Sequence, residues 1–144
     1  MLLVEDNIGD VRLMQEALKE SKVSNNLSVA NDGVEAMSFL HKEGKYAEVP
    51  RPDIILLDLN MPRKDGRDVL GEIKANEDLK RIPVLVLTVS KAEEDILKAY
   101  NLQANCYITK PVELDEFMEV VKYIENFWLC IAKLPVVDVM EDKR

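Results

Sequence analysis

Two apolar runs constrain this chain more than anything else in it. IILL (54–57) and VLVL (84–87) have no polar residue at alternate positions. A strand with one face in water alternates apolar and polar side chains. These two do not, so both faces must be covered. Short strands buried on both sides belong in a parallel sheet flanked by helices. The rest of the chain supplies the remaining parts. LLVED (2–6), NLSVAND (26–32), PDIILLDLN (52–60), PVLVLTVS (83–90) and ANCYITKP (104–111) read as five strands. Helical patterns come after each, at 9–21, 33–44, 66–79, 91–102 and 112–134. Val11, Met14 and Leu18 mark the inward face of the first helix. Val34, Met37 and Leu40 mark the second, with Gly44 as its stop, and Val69, Leu70 and Ile73 mark the third. The expected fold is α/β: a doubly wound, five-stranded parallel sheet of (βα)5 type, flavodoxin-like, with an extended C-terminal helix. One domain is expected over 1–134 and a tail over 135–144.

Composition excludes several roles. The formal net charge is −8, which disfavours phosphate backbones and anionic membrane alike. Cys106 and Cys130 lack metal-ligand spacing, so no zinc site is expected. No apolar run approaches a membrane span and no signal peptide is visible, which points to a cytoplasmic protein. Met1 opens directly onto an apolar strand, so residues upstream of it are expected.

In a doubly wound sheet, functional groups gather at the carboxyl ends of the strands. Strand one delivers Glu5 and Asp6, strand three Asp58, strand four Thr88 and strand five Lys110. Clustered carboxylates raise one another's pKa unless a cation intervenes. A hard divalent ion with oxygen ligands, Mg²⁺ above all, relieves that repulsion and leaves positions for phosphoryl oxygens. An aspartate beside such an ion can act as a nucleophile and form an acyl phosphate. A lysine and a hydroxyl nearby can hold the transferred oxygens. Any one of these residues alone reads more simply as a turn cap or a surface group. Their placement at four strand ends is harder to assign to chance.

Together, the acidic pair after strand one, LLDLNMP with DG following, Thr88 and the KP after strand five resemble the receiver domain of two-component response regulators. The resemblance covers nearly the whole chain. It implies that Asp58 is the phosphoacceptor and that Glu5, Asp6, Asp58 and the carbonyl of Asn60 hold Mg²⁺. It implies that Thr88 and Lys110 contact the phosphoryl group. Tyr107 would change rotamer with Thr88, and Pro111 would follow a cis peptide bond. Pro62 and Gly66 would shape the loop after Asp58, and Asn60 and Ser90 would tune the lifetime of the phosphorylated state. Glu5 and Val89 are departures, standing where a shorter acid and a smaller residue are commoner. The long loop before the third strand and the ending IENFWLCIAKLPV are most similar to single-domain regulators that partner bacterial phytochrome kinases. The implied donor is therefore a sensor histidine kinase of that type.

Phe127 and Trp128 continue an apolar helical face beyond the length of such a core, which points to a homodimer contact. No DNA-binding segment comes after the receiver pattern, so output through a protein surface is expected. Two other functions compete. An aspartyl-phosphate hydrolase would need an acid two positions after Asp58, where Asn60 stands. A phosphate-independent interaction module would be expected to lack an acid, the Thr or the Lys, and none is lost. His41 reads as solvated, and Glu93, Glu94 and Asp95 as favourable charges at a helix start.

Overall fold

The computed structural model describes residues 1–19, 26–61, 64–88, 92–110 and 114–124. Five strands form one sheet: β1 (Leu2–Val4), β2 (Ser28–Ala30), β3 (Ile55–Leu57), β4 (Val84–Thr88) and β5 (Cys106–Thr109). Their order is β2-β1-β3-β4-β5, and every pairing is parallel. The α-helices are α1 (Ile8–Lys19), α2 (Gly33–Leu40), α3 (Gly66–Ala75), α4 (Glu93–Asn101) and α5 (Leu114–Tyr123).

Alternate side chains of β1, β3 and β4 feed two separate cores. Leu2, Val4, Ile55, Leu57, Val84 and Val86 pack with Met37, Val69, Ile73 and Ala99 from α2, α3 and α4. Leu3, Leu56, Leu85 and Leu87 pack with Met14 and Ala17 of α1 and with Ile124 at the end of α5. This two-sided burial is what the unalternated runs require.

The helix ends differ from the sequence reading in instructive ways. On α2 the inward stripe is Gly33, Ala36, Met37 and Leu40, while Val34 is 45% exposed. Gly44 is not the stop of that helix. The chain leaves α2 at His41, and Lys42 adopts the left-handed conformation at φ 55°. The Glu43 amide donates to Ser38 O and the Lys42 amide to Phe39 O, the two bonds of a Schellman ending. Gly44 instead opens a 3-10 turn at Gly44–Tyr46. Likewise α3 ends at Ala75, short of the expected 79. The Asn76 side chain accepts from the amides of Asp78 and Leu79 at 2.8 and 2.9 Å, which diverts the backbone into a 3-10 turn at Leu79–Arg81.

Pro62, Val89, Ser90, Pro111, Phe127, Trp128, Cys130 and the expected extension of the last helix lie outside the described residues. No helix among the described residues is long and apolar enough to cross a membrane.

Candidate functional site

The sheet order reverses direction between β1 and β3, so these neighbours flank the crevice where such folds bind ligands. Their register pairs Val4 with Leu57. The next residues, Glu5 and Asp58, therefore leave the two strands side by side. Backbone bonds fix both: Asp58 N donates to Val4 O, and Glu5 N donates to Ala30 O, each at 3.0 Å.

One carboxylate oxygen from each of Glu5, Asp6 and Asp58 falls within 4.8 Å of the others. Glu5 and Asp58 are buried, whereas Asp6 faces solvent. Thr88 ends β4 fully buried. Its hydroxyl accepts from Asn60 Nδ2 at 3.4 Å, and Asn60 N reaches Asp58 Oδ1 at 3.3 Å. Asn60 thus links the third and fourth strand ends.

Lys110 arrives from β5 and is 8% exposed. Its Nζ lies 2.6 Å from Glu5 Oε1, 2.7 Å from Asp10 Oδ2 and 3.6 Å from Asp58 Oδ2. Burial works to lower this lysine's pKa, but Asp10, Glu5 and Asp58 together hold it above the ordinary value. Glu5 is the opposite case. Burial, aided by the Asp58 charge, pushes it up to about 7 in spite of the Lys110 ion pair. The site binds protons tightly at both groups because too much negative charge is gathered in a dry place.

Asp10 is the residue that the sequence reading missed. It lies in the first turn of α1, not at a strand end. The available signal was an acid in the first turn of the helix that directly leaves the acidic strand end.

Gly66 begins α3 directly behind the end of β3. A Cβ there would come within 2.2 Å of Asp58 O and 2.6 Å of Leu59 Cα. The Gly66 amide donates to Leu59 O at 2.9 Å. The glycine lets the loop fold back tightly enough to seat Asp58. Beyond it, Arg67 spans two acids, reaching Asp65 at 3.2 Å and Asp95 of α4 at 3.1 Å. Asp95 belongs to the acidic first turn expected for α4. Tyr107 lies on β5, partly buried against the core.

A cavity of about 610 Å³ lies between the end of α2 and the Leu79–Arg81 turn, lined by Leu40, His41, Arg51, Asn76 and Leu79 among others. Arg51 is engaged by Asp78, through its carbonyl at 2.8 Å and its carboxylate at 3.1 Å. Asn76 is committed to the turn. The polar side chains of Arg51 and Asn76 are thus engaged within the protein.

The oxygen-only donors fit a hard divalent cation of the Mg²⁺ class. Two acids at the strand ends and an exposed third give a cation both an anchor and a route to water.

Known proteins resemble this chain in sequence and in fold. The family profile of the response regulator receiver domain matches residues 1–122. Response regulator Rcp1 of Synechocystis sp. is 53% identical over 135 residues, covering 94% of this chain and 92% of that protein. The crystal structure of the phosphorylated cyanobacterial phytochrome response regulator RcpA matches with a TM-score of 0.90 at 55% identity, over 94% of this chain and 96% of that one. The Mn²⁺-bound form of Rcp1 matches with a TM-score of 0.88 at 52% identity, over 94% and 97%. On sequence and fold alike, this chain belongs to the response regulator receiver domain family.

Proposed function

We propose that Asp58 accepts a phosphoryl group from the phosphohistidine of a sensor histidine kinase. The observation that carries this reading is a convergence: carboxylate oxygens of Glu5, Asp6 and Asp58 lie within 4.8 Å of one another, and Lys110 Nζ lies 2.6 Å from Glu5 and 3.6 Å from Asp58. An Asp58 carboxylate oxygen attacks phosphorus, the P–N bond breaks, and the imidazole leaves with the electron pair. Glu5, Asp6, Asp58 and the Asn60 carbonyl would hold Mg²⁺, which would neutralise charge at the transferred oxygens. Lys110 and the Thr88 hydroxyl hold the remaining oxygens. Asp58 is positioned by its strand rather than by a mobile loop, so little ordering is required at the moment of transfer. The receiver in this reading supplies the groups for its own phosphorylation and dephosphorylation, and serves as a signalling protein rather than an enzyme acting on other substrates.

The downstream step follows from charge. A phosphoryl group adds anionic oxygens at the strand ends. Thr88 moves towards them, Tyr107 follows, and the protein-facing surface around β5 changes its populations. The relatives Rcp1 and RcpA support assigning the donor to a phytochrome-type kinase, with RcpA named as a phytochrome response regulator. We place the protein in the cytoplasm, with 1–134 as the receiver and 135–144 as its tail. Its output is protein contact rather than nucleic acid or membrane. Gly66 shapes the acceptor loop, and Asn60 and Ser90 set the lifetime. Phe127 and Trp128 supply a homodimer contact. Polar replacement of that pair shifts sedimentation towards the monomer, and an unchanged distribution removes the dimer.

Intact mass after incubation with Mg²⁺ and a phosphohistidine donor tests the main reading. Wild type gains one phosphoryl group and Asp58→Ala gains none. No gain in wild type overturns the phosphoacceptor role and favours a phosphate-independent interaction module. Equal gain in both proteins moves the acceptor elsewhere.

A further inference from the structure

Lys110 has three N–H donors and no acceptor. Glu5 takes one at 2.6 Å and Asp10 another at 2.7 Å, with Asp58 further off at 3.6 Å. A cation held by Glu5, Asp6 and Asp58 must therefore compete with an ammonium that already occupies Glu5. Freeing Glu5 would strand a buried charge, a costly outcome, unless Lys110 has another anion to keep. Asp10 is that anion. Its carboxylate comes from α1 and not from the ligand trio, so it can keep Lys110 when Glu5 turns to the metal.

We infer that Asp10 is a positioning residue, the alternative counter-ion to which Lys110 retires when a divalent cation claims Glu5. This rests on the metal site of the proposed function and adds to it a residue outside the acceptor's own ligands. It also sets where Lys110 waits. With Asp10 holding one N–H, the ammonium stays on the α1 side of Asp58 and offers its freed donor to a phosphoryl oxygen. Asp10 is partly buried, its side chain 21% exposed against 5% for Lys110. The pair is thus shielded enough for its geometry to matter.

A double-mutant cycle on Mg²⁺ affinity, read by titration calorimetry, tests this. In the wild-type background, Asp10→Asn removes the anion with little change of shape. Lys110 then clings to Glu5, and Mg²⁺ binding weakens by about tenfold, the scale of one charge-assisted hydrogen bond. In a Lys110→Met background no ammonium needs a refuge, and the same Asp10→Asn change has less than about a twofold effect. Asp10→Glu keeps a carboxylate within reach and restores most of the affinity in the wild-type background. That rescue does not depend on how well the Lys110→Met protein folds.

A simple field effect of one lost charge would act equally with and without Lys110. Equal loss in both backgrounds, no loss at all, or failure of Asp10→Glu to restore binding overturns the inference. In each of those cases wild type still binds Mg²⁺ and the proposed function stands. If wild type binds no Mg²⁺, it is the metal site of the proposed function that fails, and this inference with it.

Discussion

Two glycines in one helix should respond to the same substitution with opposite signs. At Gly66 an added Cβ meets three backbone atoms of one peptide unit: Asp58 O at 2.2 Å, Leu59 Cα at 2.6 Å and Asp58 C at 3.0 Å. None of these is the end of a flexible side chain. Relief requires α3 and the acceptor loop to part by roughly an ångström, an overpacking cost of about 1–3 kcal/mol. The same movement stretches the bond from Gly66 N to Leu59 O, worth about 1 kcal/mol. Alanine returns up to about 1 kcal/mol through helix propensity and a less entropic unfolded chain. The balance for Gly66→Ala is a loss of about 1–4 kcal/mol. At Gly71 the added Cβ meets only Leu102 Cδ2, at 3.7 Å, which is ordinary contact. Gly71→Ala should therefore stabilise by about 0.5–1 kcal/mol.

Urea unfolding of both variants beside wild type reads the two signs directly, provided the slope is unchanged. A second measurement separates seating of the acceptor from mere stability. Gly66→Ala displaces the backbone of Asp58 itself, so the stabilisation gained on adding Mg²⁺ should shrink in that variant and persist in Gly71→Ala. If Gly66→Ala is as stable as wild type, close approach is not what places glycine at the start of α3. If it is destabilised but its Mg²⁺ response is intact, the loop does not seat the acceptor.

Other outcomes rest on the same geometry. Lys42→Gly should raise the urea midpoint by the equivalent of about 0.5–1 kcal/mol, because Lys42 holds a left-handed conformation that glycine adopts without strain; a lower midpoint would contradict this. Met37→Ala should cost about 2–5 kcal/mol and Val34→Ala under about 0.5 kcal/mol, since only Met37 faces the core; similar costs would restore Val34 to the inward stripe. Mg²⁺ affinity should fall as pH drops through about 7, where a proton competes for Glu5, and calorimetry a pH unit either side should show it. The metal-free protein behaves in the opposite sense. Its Glu5 binds a proton more tightly than the unfolded chain does, so that stability is full at acid pH and is lost as pH rises through about 7. Metal-free urea midpoints that do not fall over that range would refute the assignment.

The strands were legible because their burial leaves no choice of residue. IILL and VLVL admit no polar side chain on either face, and the structure places Ile55, Leu56, Leu57, Val84, Leu85 and Val86 fully out of water. The strand-end residues Glu5, Asp58, Thr88 and Lys110 came from the same topology. Helix ends were less legible, since they depend on single backbone states rather than on composition. Lys42 takes the left-handed position where a glycine signal would be sought, and Gly44 two residues on misleads. Asn76 stops α3 through its side chain, although its residue type is compatible with a helix interior. Val34 fits the helical period but falls at its outer edge, because an eight-residue helix has too few turns for spacing alone to orient it.

Asp10 escaped for a different reason. A site at strand ends is closed by the segments that leave those ends, and here the first turn of α1 supplies a wall as well as a cover. Its presence changes how the charges balance. Three carboxylates, Glu5, Asp10 and Asp58, lie within 3.6 Å of one ammonium, with Asp6 beside Glu5 and Asp58, and the metal-free site keeps Lys110 close to Glu5. In the proposed function that same ammonium is needed at the phosphoryl group on Asp58. A cation that claims Glu5 frees a Lys110 donor for the phosphoryl group, and a phosphoryl group that takes that donor leaves Glu5 to the cation. Each event lowers the cost of the other, and the coupling must be equal in both directions. Phosphorylation should then tighten Mg²⁺ binding by the same factor that Mg²⁺ favours the phosphorylated state, beyond the direct attraction between cation and phosphoryl oxygens. The excess is the part that passes through Lys110, and it should vanish in Lys110→Met while the direct attraction remains.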